Sequence, residues 1–256
     1  MDAVNQGYVN YSISEEGIAT VEFGHPLSNS LPGKILNKLA ESISELSEHD
    51  AVKVIILKSS GDRAFCAGAS FDELLSIENF DQGRIFFSGF AKVINACRKC
   101  KKLIIGRVQG KAVGGGVGIA AAVDYCFATS KSEVKLSELA VGIGPFVVGP
   151  AVERKIGLSA MSQLTINATA FLPASWAKEK GLFMEIFNDV AEMDEHIHVL
   201  ASTLSRSNPE AMQELKSIFW AGTEHWDKLL LERAEMSGKL VLSDFSKKAI
   251  EKFKKK

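Results

Sequence analysis

Two short segments made largely of glycine and alanine hold the residues that could do chemistry. The first, AFCAGAS, spans residues 64–70 after a predicted strand, and the second, GKAVGGGVG, spans residues 110–118. Small residues allow a ligand to lie against the backbone, whose N–H groups can donate to an oxygen. Where the second segment opens a helix, free N–H groups and the positive end of the helix dipole favour an anion. That anion could be a bound phosphate or an oxyanion formed during a reaction.

A lone glutamate, Glu138 in the stretch KLSEL, is the candidate acid or base. Such a residue after a strand is more often a surface carboxylate. If it lines an apolar pocket, desolvation raises its pKa toward the working pH, which suits a base.

A competing interpretation takes Gly116, Gly118 and Ala121 as a dinucleotide fingerprint with Glu138 as its acidic residue. That fingerprint would follow the first strand of its domain, whereas these glycines lie well into the chain.

Together the two segments resemble the motifs of the enoyl-CoA hydratase/isomerase family, the crotonases. Those motifs have the forms A-F-C/S-A-G-A-D and G-x-A-x-G-G-G. HPLSNSL at 25–31 is similar to the family's R-P-x-x-N-A-L, PASWAKEKGL at 173–182 to its A-x-x-A-x-x-x-G-L, and NPEAMQELK at 208–216 to a helix of its C-terminal region. The resemblance covers most of the chain. The sequence as a whole is also similar to methylglutaconyl-CoA hydratase-like members of the family.

The resemblance implies an enzyme that stabilises the enolate of an acyl-CoA thioester at two backbone N–H groups, those of Ala69 and Gly115. The family carries catalytic glutamates at one or both of two places, which here are Gly118 and Glu138. A single glutamate suits proton transfer between two carbons, as in the family's isomerases, or protonation of an enolate after decarboxylation. Hydration with Glu138 alone, or with a second group such as Glu73, is an alternative. A non-catalytic acyl-CoA-binding protein is the alternative of another class.

The resemblance also implies where the substrate lies. Coenzyme A enters as part of the thioester, with no permanently bound cofactor and no metal. Five residues are expected to bind it: Leu27, Ser28, Ala67, Gly68 and Ala69. Its nucleotide end is expected near Leu27, Ser28 and the loop of Ala67 and Gly68. The segment 142–150, GIGPFVVGP, has bulky apolar residues where hydratases have glycines. It predicts a narrow, dry pocket for short or branched acyl groups. Three aromatic residues could line that pocket or belong to the core: Phe80, Phe86 and Phe87. Ser70 stands where the family often has Asp, which alters how the loop is braced.

Apolar periodicity predicts the elements that must position these residues. The predicted elements are a hairpin at 7–13 and 17–23, helices at 33–48 and 82–100, strands at 52–57, 103–108 and 123–128, and helices at 190–206, 209–221, 226–240 and 243–254. Alternating strands and helices indicate an α/β class with largely parallel pairing. The resemblance implies a ClpP/crotonase-like spiral of ββα units over 1–195. It also implies a helical region at 196–256 that assembles a homotrimer or a hexamer.

Composition narrows the class of protein. A net charge of −1 gives no general nucleic-acid surface. The basic tail, Lys252 with 254–256, is interpreted as a solvated helix end. The spacings of the four cysteines do not resemble a disulfide framework, so they are interpreted as reduced thiols. Cys97 and Cys100 form a CxxC without a second pair or suitably spaced histidines, which argues against a zinc site. No apolar run reaches the roughly 18 residues of a membrane span. The N-terminus has no signal pattern, so we expect a cytoplasmic protein.

Overall fold

The computed structural model describes residues 7–254, in which strands and helices alternate as predicted. The strands are β1 (Tyr8–Ile13), β2 (Ile18–Gly24), β3 (Ser30–Leu31), β4 (Val54–Ser59), β5 (Ala64–Cys66), β6 (Gly68–Ala69), β7 (Leu103–Val108), β8 (Lys111–Val113), β9 (Tyr125–Thr129), β10 (Glu133–Lys135), β11 (Leu172–Pro173) and β12 (Glu185–Phe187). The helices are α1 (Gly33–Glu48), α2 (Phe71–Leu75), α3 (Phe80–Lys99), α4 (Gly115–Ala122), α5 (Gly149–Ile166), α6 (Ala174–Glu179), α7 (Val190–Ser205), α8 (Pro209–Phe219), α9 (Trp226–Leu240) and α10 (Asp244–Lys254), with a 3-10 helix at Glu138–Val141.

The strands form three sheets. The largest has the order β1-β2-β4-β7-β9-β12, in which β1 is antiparallel to β2 and the other pairs are parallel. A smaller sheet has the order β11-β10-β8-β5, and β3 pairs with β6 in parallel. The α/β class, the hairpin and the largely parallel pairing are therefore confirmed.

Both faces of the large sheet are buried, which explains the continuous apolar run in β4. Ile55 and Leu57 point to the main core, where α1 and α3 pack. Val54 points to the opposite face, where it joins Met193 and Ile197 of α7. A strand buried on both faces reads as apolar at every position, because neither side meets water.

The four C-terminal helices are confirmed, and they pack on the core of their own chain. Helix α7 covers the large sheet, and α9 lies along α3. The division predicted at 195/196 falls inside α7, and the separation into a catalytic and an oligomerisation part stays a prediction. Residues 1–6, where the absence of a signal was judged, and residues 255 and 256 of the basic tail lie outside the described residues.

Candidate active site

The small sheet brings the glycine-rich segment and Glu138 together. Strand β8 leads into α4, β10 leads into the 3-10 helix that begins at Glu138, and the two strands pair in parallel. The pairing continues past the strands, since the Gly114 N–H donates to the Lys135 carbonyl at 2.8 Å. Because parallel strands end on the same side of a sheet, Gly115 and Glu138 meet at one edge.

The alanine-rich segment reaches the same edge through β5 and β6. Gly68 has φ of +92°, and a Cβ on it would lie 3.1 Å from the Val113 carbonyl oxygen and 3.7 Å from the Gly115 nitrogen. Glycine at position 68 therefore permits both the left-handed conformation and the close approach of the two segments. Ala69, the next residue, lies in the same cavity wall as Gly115.

The backbone N–H of Gly115 lies at the start of α4, where no carbonyl of the helix can accept it. The first intrahelical bonds come from the amides of Val117 and Gly118, which both donate to the Gly114 carbonyl. An amide at this position adds to the positive end of the helix dipole. A Cβ on Gly115 would lie 2.1 Å from Cζ of Phe90, so the residue must be glycine for the ring to pack there.

Glu138 places its carboxylate against the start of α4. A Cβ on Gly114 would lie 2.9 Å from Oε1 of Glu138, so the bare Cα of Gly114 leaves room for the carboxylate. Although Glu138 as a residue is partly exposed, its Oε2 is shielded from solvent and has no hydrogen-bond partner among residues 7–254. Burial raises the pKa of this carboxyl from 4.5 to about 7, and its own backbone N–H lowers that pKa by less. A carboxyl with a pKa near neutrality can both take and return a proton.

These groups line one cavity of about 300 Å³. Its walls are mainly apolar, with aromatic rings from α3 and bulky apolar side chains from the end of the 3-10 helix and the segment after it: Phe86, Phe87, Phe90, Val141, Ile143, Phe146, Val147 and Val148. Among the described lining residues, Glu138 is the one carboxylate and Lys135 the one cation. The bulky residues predicted from 142–150 do lie beside Glu138.

Val148 occupies the space beside Gly118, the place where the family can carry another glutamate. A Cβ on Gly118 would lie 2.5 Å from Cγ1 of Val148, and Gly118 is fully enclosed in α4. A glutamate at position 118 would require Val148 to move. The two glycines of the dinucleotide pattern therefore serve packing: Gly118 lies against Val148, and a Cβ on Gly116 would lie 2.4 Å from the Cys66 carbonyl.

Of the residues expected near coenzyme A, three line the cavity and two do not. Ala67, Gly68 and Ala69 are lining residues. Leu27 is 58% exposed and lies outside the cavity wall. Ser28 also lies outside it, but its carbonyl accepts the Ala67 N–H at 3.2 Å, which ties the two loops together.

Asn29 holds this loop in place, a role that sequence analysis did not identify. It is buried, with φ of +55°, and its side-chain amide donates to the carbonyls of Ser60 and Ala64 at 2.8 and 2.9 Å. Its Oδ1 accepts the His25 N–H at 2.9 Å. A fully bonded asparagine at the centre of three chain segments fixes the entry to β5.

Three of the other candidate residues, Ser70, Glu73 and Phe80, lie outside the cavity wall. Glu73 accepts the Gly33 N–H at 2.8 Å at the start of α1, and Ser70 caps α2 by accepting the Glu73 N–H at 3.3 Å. Phe80 is exposed and outside the cavity wall, whereas the Phe86 and Phe87 rings are part of it. Glu73 is therefore not placed to act as the second carboxylate.

The CxxC cysteines belong to the core. Cys97 and Cys100 are buried free thiols, and burial raises the pKa of both, that of Cys97 to about 12.

Within residues 7–254 no cluster of three His, Cys, Asp or Glu side chains could hold a metal ion. The described helices include none that is both long enough and apolar enough to cross a membrane.

Comparison with known proteins identifies the family. The enoyl-CoA hydratase/isomerase family model matches residues 14–256. A probable enoyl-CoA hydratase of Bacillus subtilis (strain 168) is 24% identical over 244 residues, which are 94% of each chain. A mitochondrial methylglutaconyl-CoA hydratase of Mus musculus is 30% identical over 167 residues, which are 65% of this chain and 52% of that protein.

A solved structure shows the same fold. The crystal structure of an enoyl-CoA hydratase from Bacillus halodurans matches with a TM-score of 0.88 at 21% identity, covering 96% of this chain and 99% of that one. The predicted crotonase fold is therefore confirmed. Since the family model extends over nearly the whole sequence, the chain belongs to the enoyl-CoA hydratase/isomerase family and is an enzyme of that family acting on acyl-CoA.

Proposed function

We propose that the chain moves a proton on short or branched enoyl-CoA thioesters, with Glu138 as the base and the backbone N–H groups of Ala69 and Gly115 as the oxyanion hole. One observation carries this proposal. The Glu138 carboxylate is the one acidic group among the described lining residues of an apolar cavity, and its Oε2 has no hydrogen-bond partner within residues 7–254. Such a group is free to accept a proton from bound substrate.

The proposed step needs no second acid. The thioester carbonyl oxygen accepts hydrogen bonds from the two backbone amides, and Glu138 removes a proton from the carbon chain. The electron pair of the broken C–H bond delocalises onto the carbonyl oxygen, giving an enolate. Glu138 then returns the proton to another carbon, so that the double bond shifts and no atom is gained or lost. Two fixed donors favour the charged state over the ground state, and each contributes about 3–4 kcal/mol in comparable sites.

The cavity favours isomerisation over hydration. Hydration would require a water held and activated beside the double bond. Val148 fills the place of a second carboxylate against Gly118, and most of the cavity wall is apolar. A water beside Val148 and Gly118 would meet apolar groups there in place of the two to four polar partners that an ordered water needs.

The same wall supports a short or branched acyl group. Phe146, Val147 and Val148 narrow a cavity of about 300 Å³, which is at the small end for ligand sites. Coenzyme A is assigned to Leu27, Ser28, Ala67, Gly68 and Ala69, with its nucleotide end near Leu27, Ser28 and the loop of Ala67 and Gly68.

A second candidate is a methylglutaconyl-CoA hydratase or a decarboxylase of the same family. The observation that favours it is Lys135, the one cation among the described lining residues, which could pair with a carboxylate on the acyl group. Its Nζ lies 4.1 Å from the centre of the Phe171 ring. Burial and the neighbouring Lys111 lower the pKa of Lys135.

Assembly as a homotrimer or a dimer of trimers, and a cytoplasmic location, stay predictions. Apolar side chains exposed on the helical region and on α5 support assembly: Leu158, Ile166, Leu215, Ile218 and Phe219. Sedimentation velocity would decide it, since a monomer at micromolar concentration contradicts both assemblies.

Proton exchange at carbon tests the proposed function. Short and branched enoyl-CoA and acyl-CoA thioesters, with one dicarboxylic thioester, are incubated with the enzyme in D₂O and followed by NMR. We expect deuterium at the α- and γ-carbons and the shifted alkene, with exchange reduced at least a hundredfold in Glu138→Gln. Glu73→Gln is the matched control and should retain exchange, because its carboxylate is bonded to Gly33.

The same spectra separate the alternatives. A hydrated product would favour a hydratase, and loss of CO₂ from the dicarboxylic thioester a decarboxylase. Tight coenzyme A binding with no exchange on any thioester would favour a non-catalytic binding protein. Full exchange in Glu138→Gln would contradict the assigned base.

A further inference from the structure

The C-terminal helix α10 contacts two chain segments at the proposed site, the one that follows Ala69 and the one that carries Glu138. It packs on α2, which begins two residues after Ala69, and on the 3-10 helix that begins at Glu138. These two elements are far apart in sequence. A single helix lying across both therefore fixes their relative position at the cavity.

A chain of hydrogen bonds leads from α10 to the backbone of Glu138. Ser246 is fully buried, and its hydroxyl donates to the Gly142 carbonyl at 3.2 Å. Ser243 supports it, donating its own hydroxyl to Ser246 Oγ at 3.1 Å. Gly142 ends the 3-10 helix, and the next amide, that of Ile143, donates to the Glu138 carbonyl at 3.0 Å.

Besides this hydrogen bond, Gly142 packs closely against the first turn of α10. Gly142 has φ of +78°, and a Cβ on it would lie 2.5 Å from Ser246 Oγ and 2.6 Å from Cδ1 of Phe245. Glycine is needed here for its conformation and for the approach of α10. The first turn of α10 therefore lies directly on the end of the element that carries Glu138.

Apolar side chains join the same three elements. Leu74 of α2, Val141 of the 3-10 helix and Ile250 of α10 belong to one buried cluster. Leu74 and Val141 also line the cavity. The cavity wall is thus packed on its outer side by α10.

A 3-10 helix of four residues has little stability of its own, because its hydrogen bonds are poorly aligned. Its orientation depends on what packs against it. We propose that α10 is the brace that aligns Glu138 with the oxyanion donors, and that Ser246 is a positioning residue for the Glu138 carboxylate. This inference rests on the proposed function of Glu138 as the base.

The carboxyl group itself gives a readout that needs no substrate. With [¹³C]glutamate labelling, the Glu138 carboxyl resonance is identified by its loss in Glu138→Gln and followed with pH. In Ser246→Ala the Gly142 carbonyl loses its donor, the 3-10 helix moves, and water reaches the carboxylate. We expect the titration midpoint to move at least half a pH unit toward that of an ordinary glutamate. Lys247→Ala, an exposed change on the same helix, should leave it in place.

Turnover gives the second readout. We expect kcat to fall about tenfold or more in Ser246→Ala with KM little changed, since misplacement of a reacting group acts on the chemical step. A titration midpoint identical to that of the wild type would overturn the brace, whatever the activity. If the wild type turns over no thioester, the proposed function fails, and the titration still decides whether Ser246 positions Glu138. Should Ser246→Ala not fold, Ser243→Ala removes the supporting bond and is tested in the same way.

Discussion

Replacing Glu138 by Gln should stabilise the fold at neutral pH while it removes activity. Burial raises the pKa of this carboxyl from 4.5 to about 7. A difference of roughly 2.5 in pKa between unfolded and folded states corresponds to about 3 kcal/mol, since each unit is worth about 1.4 kcal/mol. Gln occupies the same volume and carries no charge to desolvate, so this penalty disappears in the variant.

The sign and the pH window follow from the two pKa values. Below about pH 4.5 both states hold the proton, and the wild type and the variant should be equally stable. Between 4.5 and about 7 the unfolded state loses its proton first, so the wild type loses stability as pH rises. Above pH 7 the difference should level off near 3 kcal/mol in favour of Glu138→Gln.

Urea denaturation at pH 4.5, 6 and 8 measures this difference directly. Comparing two variants at each pH cancels the contributions of all other titrating groups. Glu195→Gln makes the same change of charge at an exposed position of α7 and should alter stability by less than about 0.5 kcal/mol. A gain in Glu138→Gln that is the same at all three pH values would refute the reasoning, because it would not arise from a buried charge.

Three further predictions concern the site and its support. In the wild type, kcat/KM should rise with pH to a plateau and reach half its maximum near pH 7, because Glu138 must be deprotonated to act as base; a flat profile from pH 5.5 to 8.5 would contradict this. Gly115→Ala should cost about 1–3 kcal/mol in urea denaturation, because its Cβ meets Phe90 at 2.1 Å, and Phe90→Leu in the same chain should restore part of that loss. Lys216→Met should cost about 3–5 kcal/mol, because it removes the cation that lies 2.5 Å from the buried carboxylate of Asp124 and leaves that charge with only the N–H donors of Ile104 and Trp220 among the described residues; a loss under 1 kcal/mol would contradict it.

The long helices could be predicted because each repeats its apolar residues over several turns. The stripe of Leu36, Leu39 and Ile43 is fully buried, and α1 has the predicted bounds. Helix α3 begins at Phe80, two residues before its prediction, because Asn79 caps it. The strand predicted at 52–57 lies at Val54–Ser59 instead. The apolar run at residues 54–57 carries no period of two from which the ends of the strand could be inferred.

The small sheet could not be predicted, although it assembles the site. Strands β8 and β10 have three residues each, too few for an alternation of apolar and polar positions to appear. Their pairing is what places Gly115 beside Glu138. The resemblance of motifs could indicate both residues, but the contact between them depends on a pairing between residues more than twenty positions apart.

The pair Gly118 and Val148 shows why the reaction cannot be inferred from single positions. The sequence shows a missing glutamate at 118 and a bulky residue at 148, thirty positions later, as two separate departures from the hydratase pattern. In the folded protein these two differences are linked by one contact, since Val148 Cγ1 occupies the space that a side chain at position 118 would need. Restoring the carboxylate alone would overpack the site, which typically costs 1–3 kcal/mol. A change toward hydration therefore requires both positions to change together, because the apolar contact and the absent carboxylate occupy the same volume.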